Sequence, residues 1–165
     1  MAVTPPTSSP TTDREVLISR VIHAPRDLVF EAFTDIRHLS KWWGPAGFTT
    51  TTRAFDFRVG GRWDFVMHGP DGTDYQEWIS WTEIVPPARI ALLHGESRDD
   101  PNAFESIFTF EAEGGETRVE MRTVFPTKEL RDEAVKKFHV TEGGHQTISK
   151  LATYVTEILR KEGKR

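Results

Sequence analysis

His94 and His145 are the residues of this chain best suited to chemistry at neutral pH. His94 follows Ile90 and Leu92 at two-residue spacing, one face of a strand. His145 leads Ile148, Ala152, Val155 and Leu159, an apolar stripe at helical spacing. If that strand and that helix face each other across a hollow, both imidazoles point into it. There they can hydrogen-bond the polar end of a ligand or act as acid and base. A histidine satisfied by its own fold is the more frequent arrangement, so an acid–base role requires a histidine in the hollow with no internal partner. Glu77, Tyr75, Ser106 and Thr123 are weaker polar candidates for the same wall. Trp63, Phe65, Met67, Phe108 and Met121 fall on inward strand positions, and Ile148 and Ala152 would complete the ligand pocket from the helix. Phe55, Phe57 and Phe110 share the presumed inner face, where ordinary core packing is the competing role. No catalytic residue is assigned.

Other chemistries lack their residues. There is no cysteine, which removes disulfides, thiol catalysis and thiolate metal sites and agrees with a reducing, cytoplasmic location. Of the six histidines none stands in a His-x-His or His-Glu-x-x-His spacing, so neither metal nor any other cofactor is expected. No Gly-x-Ser-x-Gly elbow occurs, and Gly60-Gly61, Gly114-Gly115 and Gly143-Gly144 lack the surroundings of a phosphate loop. With 21 Lys plus Arg against 25 Asp plus Glu, the net charge of −4 argues against a nucleic-acid partner. No apolar run approaches the ~20 residues that span a bilayer, and Met1 to Thr12 carries no signal-peptide pattern, so no membrane association is expected. Asp56, Arg58 and Arg62 read as surface charges on a hairpin.

These side chains are positioned by an order of segments. Residues 1–12, rich in Pro, Ser and Thr, read as a disordered tail, and 13–163 as a single domain. Arg14 to His23 reads as a strand with Val16, Ile18 and Arg20 on one side. Pro25 opens an amphipathic helix with Leu28, Val29, Ala32, Phe33 and Ile36 on one stripe, ending near Trp42-Trp43-Gly44-Pro45. Those two tryptophans would form a lid, a partner surface, or a helix end pinned to the sheet. From Thr49 the period becomes two, with turns at Gly60-Gly61, His68 to Gly72, Pro86-Pro87 and Glu113 to Glu116, for about seven strands in all. Thr127 caps a final helix running to about Lys161. Gly143-Gly144 within it predicts a break or kink, or else a close backbone approach. A curved antiparallel sheet gripping a terminal helix leaves a space between them.

Several motifs in that order carry a family resemblance: Ala24 to Phe30, Trp42-Trp43-Gly44-Pro45, Phe55 to Trp63, Gly69-Pro70-Asp71-Gly72, Glu83 to Pro87, and Gly143-Gly144 with the helix after it. Over Arg14 to Leu159 the chain resembles the activator of Hsp90 ATPase homologue 1-like (AHSA1-like) family, within the superfamily of START domains, Bet v 1-like pollen allergens and polyketide cyclases. The resemblance implies an α+β helix-grip (Bet v 1/START-like) fold, a curved antiparallel sheet around a long C-terminal helix. It implies a small hydrophobic or amphipathic molecule as ligand. Two other readings are a co-chaperone partnered with an Hsp90-type chaperone in the stress response, and a polyketide cyclase-like enzyme using a cavity histidine. Family members that activate Hsp90 carry an additional amino-terminal domain, where this sequence has the Pro-rich segment. A monomer, or a homodimer through a sheet edge or helix, is expected.

Overall fold

The period-two segments pair into one antiparallel sheet of seven strands in the computed structural model, which describes residues 12–159. The strands are β1 (Glu15–Ile22), β2 (Thr49–Phe55), β3 (Arg62–His68), β4 (Asp74–Val85), β5 (Arg89–Gly95), β6 (Phe104–Glu113) and β7 (Glu116–Val124), in the order β1-β7-β6-β5-β4-β3-β2. Helices α1 (Arg26–Thr34) and α2 (Ile36–Trp42) follow β1; α3 (Lys128–Lys136) and α4 (Val140–Tyr154), continued by a π-helical turn at Val155–Leu159, close the described chain. The expected tail lies outside the described residues except for Thr12, and so do residues 160–163 at the far end.

Strand alternation becomes burial with little loss, because successive side chains leave a strand on opposite faces. Val16, Ile18 and Ile22 of β1 are buried, as are Trp63 and Phe65 of β3, Ile79 and Trp81 of β4, Ile90 and Leu92 of β5, Phe108 and Phe110 of β6, and Val119 of β7. Arg20, placed on the buried side by alternation alone, is exposed. Its guanidinium would lose water there with no carboxylate to replace it. The stripe of α1 meets this sheet, with Phe33 ring-to-ring against Phe108 at 4.9 Å and Phe110 at 5.4 Å. The tryptophans pin the helix end. Trp42 is fully buried and its Nε1 donates to the Ala32 carbonyl at 3.0 Å, while Trp43 packs edge-on against Trp63 at 5.4 Å.

The break expected at Gly143-Gly144 occurs elsewhere. α3 ends at Lys136, and His139 at φ 52° re-aims the chain into α4, whose first turns contain both glycines. At Gly144 the reason for glycine is proximity: a Cβ there would stand 2.3 Å from Ile18 Cδ1 and 3.1 Å from Met121 Cε. That is the close approach, and it seats α4 directly on β1 and β7. Thr127 caps α3 as its sequence implies, its Oγ1 accepting from the Leu130 amide at 3.0 Å.

Candidate functional site

Along four adjacent strands the inward side chains run from apolar to polar in one direction. β4 presents Trp81, Ile79, then Glu77; β5 presents Ile90, Leu92, then His94; β6 presents Phe110, Phe108, then Ser106; β7 presents Val119, Met121, then Thr123. Because neighbours are antiparallel, the register gathers the polar ends at one end of the sheet: His94 stands opposite Ile79 and Phe104, and Ser106 opposite both Leu92 and Thr123. The apolar ends form a packed floor, in which Trp63 and Phe65 stack with ring centroids 3.7 Å apart.

At the polar end the packing opens into a cleft of about 470 Å³, within the range of pockets that enclose a small molecule, about 300–1,000 Å³. The sheet is its floor, Trp43, Gly44 and Pro45 bound one side, and α3 with the start of α4 lies over it through Leu130, Ala134, Phe138 and Thr147. α3 has no fully buried residue. Phe138, in the α3–α4 connection, is 71% exposed at the cleft mouth.

Three polar features face this space. His94 Nε2 hydrogen-bonds Glu77 Oε1, both side chains largely buried. The carboxylate accepts, so Nε2–H donates. The ring is held by Phe104 at 4.8 Å and Trp43 at 6.2 Å between centroids. Ser106 and Thr123 are 5% and 6% exposed, and neither hydroxyl has a hydrogen-bond partner among the described residues. By contrast Thr147 satisfies itself on the Gly143 carbonyl at 2.9 Å. At the cleft edge Lys150 Nζ donates to the Pro45 carbonyl at 3.2 Å, and burial pushes its pKa down.

Of the residues expected to form a pocket, Met67, Glu77, His94, Ser106, Phe108 and Met121 line the cleft. Trp63 and Phe65 lie beneath it as core. Tyr75 is 43% exposed: it shares the inward parity of Glu77 but sits at the strand end, past the cleft, against Phe48. His145 does not join His94. One residue turns a helix by about 100°, so with Gly144 seated on Ile18 the next side chain points out, and His145 is exposed beside Ser19, Arg20 and Gln146 in a separate shallow groove that Ile148 borders. Ile148 and Ala152 are buried packing residues of α4. The condition set for an acid–base histidine is therefore unmet at both positions, since His94 is tied to Glu77 and His145 lies outside. Among the described residues no group of three or more His, Asp or Glu side chains could hold a metal ion. No described helix is long and apolar enough to cross a membrane. Phe104, Phe125, Leu130, Glu133 and Phe138 also line the cleft, and spacing alone does not single them out. The parity of Phe104 with Ser106 is a usable signal, and so is the helical spacing of Leu130, Ala134 and Phe138.

The sequence profile described as "Activator of Hsp90 ATPase homolog 1-like protein" matches residues 23–156. Among solved structures, a protein from Arthrobacter aurescens superposes with a TM-score of 0.80 at 23% identity, covering 91% of this chain and 90% of that one. A protein from Mycobacterium smegmatis gives 0.77 at 25% identity, covering 90% and 94%. A protein from Silicibacter pomeroyi that bears the same family's name gives 0.69 at 22% identity, covering 86% and 97%. No protein of curated function matches the sequence.

Proposed function

The chain belongs to the Activator of Hsp90 ATPase homolog 1-like family, and from that premise we propose that it is a binding protein which shelters a small apolar or amphipathic molecule between the sheet and its C-terminal helices. The observation that carries this reading is the pair of hydroxyls on Ser106 and Thr123, on residues more than nine-tenths buried, unpartnered among the described residues, and facing the cleft. The hydroxyls bond nothing within the wall and open to the cleft, so a ligand that covers them must hydrogen-bond them, because a hydroxyl buried without a partner costs about 1–3 kcal/mol. A ligand that covers the apolar lining and completes those hydrogen bonds avoids that cost. Burying ~300 Å² of apolar ligand surface at ~25 cal/mol per Å² grosses several kcal/mol, enough for micromolar affinity after ordering losses.

A chaperone partnership would call for a continuous exposed apolar face. The large exposed apolar side chains among the described residues, Leu17, Val59, Tyr75, Val85, Leu93, Phe138 and Ile158, are instead spread over six segments, with Tyr75 and Val85 at opposite ends of β4, which favours the cleft as the binding feature. The test is native mass spectrometry of protein purified without denaturation, repeated after denaturation. A small mass released on unfolding supports the proposal and gives the ligand's class. A bare chain mass, together with no heat signal when apolar and amphipathic probes are titrated in, would sink it.

A further inference from the structure

The charges around the cleft are one-sided. Glu77, Glu96, Asp100 and Glu133 all line it, and among the described residues no lysine or arginine does. Two cations stand at its edges: Lys150 donates its Nζ to the Pro45 carbonyl at 3.2 Å, and Lys137 Nζ lies 3.7 Å from Glu133 on the outer turn of α3. Asp100 spends its carboxylate on the amides of Glu96 and Asn102 at 2.8 Å each, yet keeps its charge at the rim. The head-group end is also rich in acceptors. Glu77 Oε2 has no hydrogen-bond partner among the described residues, and the hydroxyls of Ser106 and Thr123, residues 5% and 6% exposed that line the cleft, can accept. Around these stand the rings of Trp43, Phe104, Phe108, Phe125 and Phe138, whose faces attract a cation.

Resting on the ligand-binding reading above, we propose that the cleft selects a cationic amphiphile, an organic amine carried on an apolar or aromatic body, over fatty acids and other anions. An ammonium group supplies donors to a site made of acceptors, and its charge is attracted by the four carboxylates that line the space. A carboxylate placed there meets Glu77 at close range in a partly dehydrated site, where like charges are strongly unfavourable.

The test is isothermal titration of three probes with one ring system, 2-(2-naphthyl)ethylamine, 2-(2-naphthyl)ethanol and 2-naphthylacetate, against the whole chain and against Glu77→Gln and Glu133→Gln. The amine should bind on the order of tenfold tighter than the acid at low salt, with the alcohol between them. Each substitution should shrink the amine-to-acid ratio several-fold, and Glu133→Gln, on the exposed side of α3, keeps the test valid if Glu77→Gln disturbs the fold. Equal binding of all three probes, or preference for the acid, overturns the charge selection and leaves a ligand cleft standing. An amine preference that neither substitution reduces overturns the assignment to these carboxylates. Binding of none of the probes overturns the charge selection together with the ligand reading beneath it.

Discussion

In the double variant Ser106→Ala/Thr123→Val both cleft hydroxyls are removed with little change of shape, and the fold should gain stability from their loss. Neither group donates or accepts among the described residues, so no internal bond is broken, while each residue stands 5–6% exposed with at most cleft water to satisfy it. An unsatisfied buried hydroxyl costs about 1–3 kcal/mol, and partial contact with water reduces that to about 0.5–1 kcal/mol each. The pair therefore gives about 1–2 kcal/mol, a rise of about 2–8 °C in Tm for a chain of this size. The internal control is Thr117→Val. That hydroxyl, fully buried, donates to the Ala24 carbonyl at 2.7 Å, and its loss should cost about 1–3 kcal/mol by stranding the acceptor. Urea and thermal unfolding of the three proteins read both signs in one experiment. The double variant should also bind the naphthyl amine about five- to tenfold more weakly, the worth of two modest hydrogen bonds. A double variant destabilised by more than about 1 kcal/mol would refute the reasoning, because it would mean that the hydroxyls hold the sheet rather than a ligand.

Three further substitutions probe the scaffold. Gly144→Ala gains about 1 kcal/mol of helix propensity but must displace the Ile18 Cδ1 atom that would lie 2.3 Å from the new methyl; overpacking costs about 1–3 kcal/mol, so urea unfolding should show a net loss of about 1 kcal/mol, growing for valine. Trp42→Phe keeps an aromatic ring but strands the Ala32 carbonyl, and should cost about 1–3 kcal/mol in the same assay. Asp35 caps α2 through the Arg37 amide, and the Arg37 guanidinium with that amide lowers its pKa from 3.8 to about 2. Asp35→Ala should cost about 1 kcal/mol at neutral pH. Because the folded-state value is depressed, that difference is fully present above pH 3.8 and should vanish as the pH falls through about 2, which thermal scans across that window will show.

Much of this architecture is legible in the sequence because strand alternation and burial are the same fact seen twice: Ile90, Leu92 and His94, or Ser106, Phe108 and Phe110, can face only one way once one of them is buried. The helical end is harder to read. Gly143-Gly144 looks like a breaker by local propensity, yet Gly144 is demanded by Ile18, a residue far away in sequence, and the true break at His139 has no glycine at all. Helical spacing misplaces His145 for the same reason, since its direction depends on how α4 is seated. The cleft's roof, with Leu130, Glu133 and Phe138, is hard to place: Leu130, Ala134 and Phe138 share one stripe at helical spacing, but that α3 lies over the cleft depends on the turn at His139, which has no local signal.

The site's polar pair is a different case, because its placement follows from a turn motif that is visible in the sequence. Gly114 and Gly115, at φ 60° and 94°, make the two-residue hairpin turn whose twist suits antiparallel strands, and such a turn fixes the register by pairing Glu113 with Glu116. Equal numbers of residues counted from that pair along both strands bring Phe108 opposite Met121 and Ser106 opposite Thr123. A motif that reads as mere punctuation thus sets two hydroxyls side by side on one wall. Whether they serve the fold or a ligand then depends on a single further fact, the lack of a partner among the described residues. That fact belongs to the packing of α3 and α4 above them, not to the strands that carry them.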